Sequence, residues 1–558
     1  MQLYFTPIVV SATGIIVLLF WLLREIKAFL FWPYLWQLKN YHIGRFLAHF
    51  STSAGRKIFL NPLMIIKIIL FVATTYCLFF NAPALVLKYF FWIVVLVFCL
   101  YLLEGLISLI QFISKRVKAP ELTSKMLFLL PIVFIPLGVF TLVFGYTFID
   151  QLDALEFLLA AFAFAILLFD LLTPFIVSLI ILLLQPITVV LRNRVLRAAT
   201  EKRAKMENLS VIGITGSFGK SSVKEFLRSI LSVSFNVAAT EENKNSEMGI
   251  SEYILNNLTD KHEIFICEMG AYNIGGIKLL CDIAKPKIGI LTNIGNQHEA
   301  TFGSLQNIVK AKFELINSLP EEGLAVLNWD SELIRNNFKS NISSIKYSIL
   351  EKEDIWSEDI KEEKEWVSFR AIFKTGEHLD ARVNVIGAQN IINLLPAIAI
   401  AKRLGMENSE ILMGIAKIDP KQGNIELKRN TKGINIIDAS YSANVAGALA
   451  HLDYLKNWKD SKKIFVMPCL IELGKSAKQS HYDLGKKIGG VCDVLIVATA
   501  DYFNQLRKGA IEAGMKKENI FLLTNPAKQY KKIMSIAKEG DVVFVEGRVS
   551  EDLLSKLV

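Results

Sequence analysis

Five apolar stretches, at about 4–23, 62–80, 85–110, 126–148 and 154–191, decide what the first third of this chain can become. Each covers the roughly 20 residues that a helix needs to cross the hydrocarbon of a bilayer. The first is too long, and too poor in basic residues at its start, to be a cleaved signal peptide, and further apolar runs follow it. Trp21, Trp32 and Trp36 cluster near its end, where indole rings are expected at a membrane interface. The run at 154–191 has length enough for two crossings but contains Pro174, and is read as one crossing plus a kinked or interfacial portion.

The charge distribution gives these helices a direction. The 558 residues carry 62 Lys+Arg against 52 Asp+Glu; residues 1–206 hold 18 of the basic and 8 of the acidic ones, so the whole excess of +10 sits there. A basic balance can mark nucleic-acid binding, but here it flanks apolar runs, so no nucleic-acid partner is expected and the partner is a lipid bilayer. The loop at 24–57 holds Arg24, Lys27, Lys39, Arg45, Arg56 and Lys57. The loop at 113–125 holds Lys115, Arg116, Lys118 and Lys125, and 192–205 holds Arg192, Arg194, Arg197, Lys202, Arg203 and Lys205. By the positive-inside tendency all three are cytoplasmic. Five crossings of a plasma membrane follow, with the N-terminus outside and everything beyond residue 206 in the cytoplasm. Glu104 and Asp170, inside or at the ends of apolar runs, are either functional acids or headgroup-level side chains. The six cysteines (77, 99, 267, 281, 469, 492) form no CxxC pair and read as buried, inert thiols in a reducing compartment.

From Leu209 the pattern changes to short β-branched runs alternating with helical ones. "SVIGIT", "FNVAAT", "EIFICEMG", "KIGILTNIG" and "GLAVLNW" read as strands, and "SSVKEFLRSIL" and "SLQNIVKAKFELINSL" as amphipathic helices. A second series runs from "GINIIDAS" through "KIFVMPCL", "DVLIVAT" and "NIFLLT" to "DVVFVEG", with a small antiparallel hairpin, "EWVSFRAIF" and "HLDARVNVIG", before it. Such alternation implies mostly parallel sheets covered by helices. The expected fold is an α-helical membrane domain over 1–206 followed by two α/β domains, a P-loop domain over 207–418 and a Rossmann-like domain over 419–558.

"VIGITGSFGKSSVKEF" places a strand ending at Thr215 before Gly216, Ser217, Phe218 and Gly219, with Lys220, Ser221 and Ser222 opening a helix. Glycines let backbone N–H groups turn toward phosphate oxygens, and the helix N-terminus adds its positive dipole end. Lys220 would reach the β/γ-phosphates and Ser221 would hold Mg²⁺. The full Walker spacing is not met, because Ile214 stands at the first glycine's place.

"TGSFGKSSVKE" resembles the variant loop of the Mur ligase family, ATP-dependent amide-forming enzymes of cell-wall assembly, and is closest to the branch that adds D-alanyl-D-alanine. Further stretches resemble that branch in the same order: "NKNSEMG" (243–249), "CEMGAYNIGGI" (267–277), "LTNIGNQHEATFGS" (291–304), "KAKFELINSLP" (310–320), "LNWD" (327–330), "GAQNIINLLPA" (387–397), "DASYSAN" (438–444) and "LIELGKSAKQSHYDLG" (470–485). The resemblance covers about 207–558. It implies that Glu268 shares a Mg²⁺ with Ser221, that His298 ligates a second Mg²⁺, and that Lys312 is carbamylated to help hold it. It implies adenine contact by Asn390 and ribose contact by Asp438. Asn243, Asn245, Tyr441, Asn444, Glu472 and His481 are substrate candidates, the last two weighed equally against a packing role.

The departures gather where substrate binding and domain closure are expected: Asn424 replaces an arginine and Gln389 a histidine. Ala439, Ser442 and Val445 replace an acid, an asparagine and a proline; Tyr272 and Asn273 replace an Asn–His pair. The family's soluble uridine-binding N-terminal domain gives way here to apolar helices. Two explanations stand: a lipid-linked acceptor docked by the helices, or a ligase merely tethered beside the membrane and acting on a soluble nucleotide precursor. The expected chemistry is ATP-dependent joining of a precursor carboxylate to an amino acid or dipeptide. The rival is a catalytically weak, nucleotide-binding scaffold that recruits envelope enzymes.

Overall fold

The computed structural model describes residues 7–39, 41, 43–50, 52–79, 84–150, 155–241, 244–295, 299–423, 425–440, 443–471 and 473–558. Two compact units, 1–191 and 192–558, make up the chain.

The first unit is helical: α1 (Pro7–Leu38), α2 (Ile43–His49), α3 (Ser53–Phe59), α4 (Pro62–Phe79), α5 (Ala84–Ile113), α6 (Ser124–Asp150), α7 (Leu155–Leu183) and the start of α8 (Gln185–Ala204). Among the described residues four segments are long and apolar enough to cross a membrane: Gly55–Phe79, Phe91–Ile113, Lys125–Val143 and Ala161–Leu183. Their outward faces stay apolar and exposed, as at Ile69, Phe91, Leu142 and Phe175. Contiguous exposed surface of this kind needs a cover in water. The run at 154–191 is a single helix through Pro174 that breaks at Leu184, before α8.

The described part of the first apolar run, from Pro7, lies in α1. From Val17 onward α1 is an inner helix packed by α5, α6 and α7, with Val17, Trp21 and Phe29 wholly buried. The three tryptophans are turned toward neighbouring helices. Trp36 is buried, stacked on Phe46 with ring centroids 4.0 Å apart, and donates Nε1–H to Ser178 Oγ at 3.0 Å. Rings that fill gaps between helices gain more from packing than from an interface.

The two acids are tied into the helix bundle. Asp170 is buried, accepting from Lys67 Nζ at 2.7 Å and Tyr101 Oη at 3.0 Å and pairing with Arg24. Lys67 also meets Glu104 at 2.6 Å, so α1, α4, α5 and α7 share one ionic cluster. The cysteines divide: Cys267, Cys281, Cys469 and Cys492 are buried, whereas Cys77 is half-buried and Cys99 exposed on α5. Burial pushes the thiols of Cys281 and Cys469 up to about 12 and about 11, which keeps them protonated and inert.

The second unit carries two sheets. The first joins β1 (Ser210–Thr215), β2 (Val237–Ala239), β3 (Ile264–Glu268), β4 (Ile288–Leu291), β5 (Leu324–Asn328), β6 (Ser343–Ser348), β7 (Ile355–Glu362), β8 (Val367–Phe373) and β9 (His378–Val383). Their spatial order is β2-β3-β1-β4-β5-β6-β7-β8-β9, parallel up to β7 and antiparallel beyond it. The expected hairpin is thus the edge of the large sheet, joined through a two-pair contact, Tyr347↔Ile355 and Ser348↔Trp356. The second sheet joins β10 (Glu426–Arg429), β11 (Asn435–Ala439), β12 (Lys463–Met467), β13 (Val494–Val497), β14 (Ile520–Leu522) and β15 (Val542–Glu546) in the order β10-β11-β15-β12-β13-β14. Only β10 runs antiparallel to its neighbour.

Alternation along β1 sends Ile212 and Ile214 to one face and Val211 to the other. Helix Lys220–Leu231 covers the first face with Val223, Phe226, Leu227 and Ile230, all buried. Each such side chain contributes about 1.5–3 kcal/mol by leaving water. On the other face Gly213 and Gly289 let helix Leu305–Asn317 lie close: a Cβ at Gly213 would come within 2.9 Å of Leu315. Chain order reverses at β1, flanked by β3 and β4, and the crevice beyond the strands' carboxyl ends is the expected ligand position in a sheet of this type.

Candidate active site

β1 delivers the glycine loop into that crevice. Gly219 has φ +84°, and a Cβ there would stand 2.5 Å from Asn393 Oδ1, so glycine is required on both counts. A Cβ at Gly216 would stand 2.0 Å from Thr292 Oγ1. The segment after β4 pins the loop: Ser217 N–H donates to Asn293 O at 2.7 Å, Thr292 Oγ1 donates to Phe218 O at 2.6 Å, and Gly295 N–H donates to Ser217 Oγ at 3.0 Å. Thr215 Oγ1 donates to Met269 O at 2.8 Å, tying β1's end to β3's. Ser222, in the first turn of the helix, is buried.

Register puts Ile214 beside Glu268, so the loop's helix opens next to a carboxylate. Ser221 Oγ donates to Glu268 Oε2 at 2.8 Å and Asn245 Nδ2 to Glu268 Oε1 at 2.9 Å. Lys220 folds back onto Gly216 O at 2.9 Å. Burial pulls its ammonium below the usual lysine range, with Glu268 opposing that shift. Lys312, on helix Leu305–Asn317, is buried too; burial first, and then the Lys220 charge, pull it down to about 7.

Hydroxyl and carboxylate oxygens side by side are hard donors suited to Mg²⁺, which completes its shell with water and phosphate oxygens. Ser221 and Glu268 fit that requirement. Among the described residues no group of three or more His, Cys, Asp or Glu side chains could hold an ion. His298 lies outside the described residues, as do Asn243, Tyr441 and Glu472 and the altered positions Asn424 and Ser442.

The remaining candidates lie further out. Asp438 is the next-to-last residue of β11 and lines a cavity of about 680 Å³ together with Lys421, Ser221, Lys224, Arg228 and Thr240. Its Oδ1 accepts from Ser440 N–H at 3.0 Å. Asn390 is buried and donates to Ile386 O at 2.8 Å, so its amide holds the turn that opens helix Gln389–Arg403. Asn444 caps helix Val445–Tyr454, accepting from Gly447 N–H at 2.8 Å. His481 is wholly buried: Leu470 N–H donates to Nε2 at 2.9 Å and Nδ1 donates to Ala477 O at 2.6 Å. Burial holds it below the usual histidine range, consistent with a neutral ring whose two nitrogens serve the backbone.

Sequence reasoning passed over Lys224. It is buried at the cavity wall, donates to Thr240 O at 2.8 Å and stands 4.0 Å from Glu268. Its signal was available, since residues four apart share a helix face and Lys224 follows Lys220 by four.

Residues 214–401 match the Mur ligase middle domain, and residues 425–549 match the Mur ligase glutamate ligase domain. The chain belongs to the Mur ligase family. Among Mur ligases, the UDP-N-acetylmuramoyl-tripeptide–D-alanyl-D-alanine ligase of Synechocystis sp. is 32% identical over 282 residues, 50% of this chain and 59% of that one. The Bacillus subtilis ligase of the same name is 25% identical over 355 residues, 62% of this chain and 76% of that one. The chain thus spans about three-fifths of the Synechocystis relative's length. MurF from Acinetobacter baumannii superposes with TM-score 0.59 at 25% identity, over 66% of this chain and 80% of that one. MurF from Thermotoga maritima, solved in complex with ADP, gives 0.58 at 25% identity, over 66% and 83%. Both match the P-loop and Rossmann-like fold expected of a Mur ligase.

Proposed function

We propose that this Mur ligase is an ADP-forming acid–amino-acid ligase of the MurF type, anchored by its helical region with the α/β domains in the cytoplasm. The observation that carries it is the Ser221–Glu268 hydrogen bond at 2.8 Å, with Lys220 and the glycine loop beside it at the switch point of the sheet. The acceptor is a carboxylate of a cell-wall precursor, and the incoming group is the amine of an amino acid or dipeptide. An acceptor oxygen attacks the γ-phosphorus of ATP, the bond to the bridging oxygen breaks, and ADP leaves. The amine nitrogen then attacks the acyl phosphate carbon, loses a proton and expels phosphate, leaving an amide.

Loop N–H groups hold the phosphates, and Lys220 turns from Gly216 O to the transferring group, whose charge it stabilises. Ser221 and Glu268 would hold Mg²⁺, which supplies charge neutralisation between phosphate oxygens. Asn390 and Asp438 are assigned to adenine and ribose, and His298 to a second Mg²⁺. Asn245 orients Glu268, and Asn243, Tyr441, Asn444 and Glu472 are kept as substrate candidates. Glu268→Gln should lower acceptor-dependent ADP formation about a hundredfold. Binding of a fluorescent ATP analogue, measured by titration, should persist. Wild-type turnover in Glu268→Gln would rule this arrangement out.

Lys312 is proposed to be carbamylated: its neutral amine attacks CO₂ and releases a proton, converting a cation into a carbamate anion. The unfolded chain gives up this proton near 10.5 and the folded chain near 7, so the folded state binds fewer protons between those values. Its charge therefore weighs on stability below about pH 7 and is relieved as pH rises toward 10.5. In the presence of ¹³C-bicarbonate, a carbamate NMR signal should grow between about pH 6 and about pH 8, where the neutral amine becomes available, and be absent from Lys312→Arg. A signal that persists in Lys312→Arg would assign it elsewhere.

A lipid-linked acceptor is the form of substrate that gives the helices a purpose beyond tethering. The exposed apolar faces of four long helices favour a bilayer setting.

A further inference from the structure

The helical unit holds a cavity of its own, of about 230 Å³. Arg24 and Lys27 of α1, Glu104 of α5 and Asp170 of α7 line it, facing an apolar wall that includes Phe31, Trp32, Phe59 and Leu63. The acids already have partners. Asp170 is taken by Lys67, Tyr101 and Arg24; Glu25 bridges Arg24 at 2.5 Å and Thr173 at 2.9 Å; Glu104 Oε2 meets Lys67 at 2.6 Å and Arg24 Nε at 3.4 Å. Among the described residues Lys27 has no carboxylate within ion-pair distance, and Arg24 turns the same way into the cavity.

Spare N–H donors beside an apolar wall suit an anionic oxygen group attached to an apolar chain. The cavity's position agrees. Its lining comes from the first turn of α4 and the later halves of α5 and α7, the end from which the chain continues through α8 with Arg192, Arg194 and Arg197. Basic residues there mark the cytoplasmic leaflet, and basic pockets between helices on that side hold phosphorylated lipid headgroups.

We propose that this cavity binds a membrane lipid through its phosphate, with Arg24 and Lys27 holding the headgroup and the chain lying along Phe31, Trp32 and Leu63. The inference rests on the bilayer reading above, and it gives a lipid-linked acceptor a place to dock. The test uses the full chain in nanodiscs of phosphatidylcholine with and without phosphatidylglycerol, released into the gas phase for native mass spectrometry. Wild type should retain phosphatidylglycerol about tenfold over phosphatidylcholine. Lys27→Gln should lose that preference and Lys27→Arg should keep it. Equal retention of both lipids, or an unchanged preference in Lys27→Gln, would overturn the site. Displacement by millimolar inorganic phosphate would assign the donors to a soluble ion and overturn the lipid commitment. Lys220→Ala should retain lipid as wild type does, so the outcome is independent of whether the chain ligates.

Discussion

Lys220→Ala should cut acceptor-dependent ADP formation about a thousandfold. In the resting site the Lys220 ammonium is buried, held on Gly216 O at 2.9 Å and within electrostatic reach of Glu268 and Lys312. A charge kept out of water is strongest toward a phosphoryl group that gains negative charge as its bond breaks, and alanine supplies nothing in its place. Removing it also relieves the repulsion that helps depress Lys312, so the carbamate signal of the variant should shift to higher pH. Lys220→Arg should recover little, because a planar guanidinium cannot sit where a compact ammonium folds over the loop. A coupled assay of ADP release reads all three proteins. Undiminished release from Lys220→Ala would remove the phosphoryl-transfer role.

Asp170→Ala should destabilise the helical unit by about 3–5 kcal/mol. Among the described residues Asp170 is the only acid that meets Arg24, Lys67 and Tyr101 together, and it does so from α7 while its partners stand on α1, α4 and α5. Alanine leaves two largely buried cations and a buried phenol without their shared acceptor. Replacing both Lys67 and Asp170 with apolar residues of similar size should restore much of the loss, because the desolvated charges go with the bond between them. Unfolding in mixed detergent micelles, followed by tryptophan fluorescence, would report it, since Trp21 and Trp36 are buried in the same unit. A shift within error for Asp170→Ala would show that the cluster contributes little to packing.

The elements of the α/β unit could be read from the chain because period and loop chemistry are local. Every strand of the two quoted series exists, and "TGSFGKSS" forms the turn from strand to helix that its glycines predict. What escaped depends on partners far apart in sequence. The antiparallel hairpin belongs to the large sheet through β7, whose mixed polar pattern "IWSEDIKE" gives no clear strand period. The ionic cluster joins Arg24 to Asp170, 146 positions further along the chain, and no local pattern announces such a pair. The burial of the α1 tryptophans was not legible either, because composition does not reveal which face of a helix its neighbours will cover. Within the site, Ser221 and Glu268 were legible as neighbours from the family motif. The inward-turned ring of His481 was not, since a polar residue on a helix carries no mark of whether backbone or ligand takes its hydrogen bonds.

The most direct measurement is mass spectrometry of the products formed by the full chain in nanodiscs, given ATP, Mg²⁺, a mixture of amino acids and dipeptides, and either soluble or lipid-linked muramoyl-peptide precursors. The expected result is one new amide per ADP released, formed by wild type and not by Lys220→Ala, with the lipid-linked precursor consumed faster. ATP bound without any ADP or amide from either precursor would contradict ligation and leave a nucleotide-binding scaffold in its place.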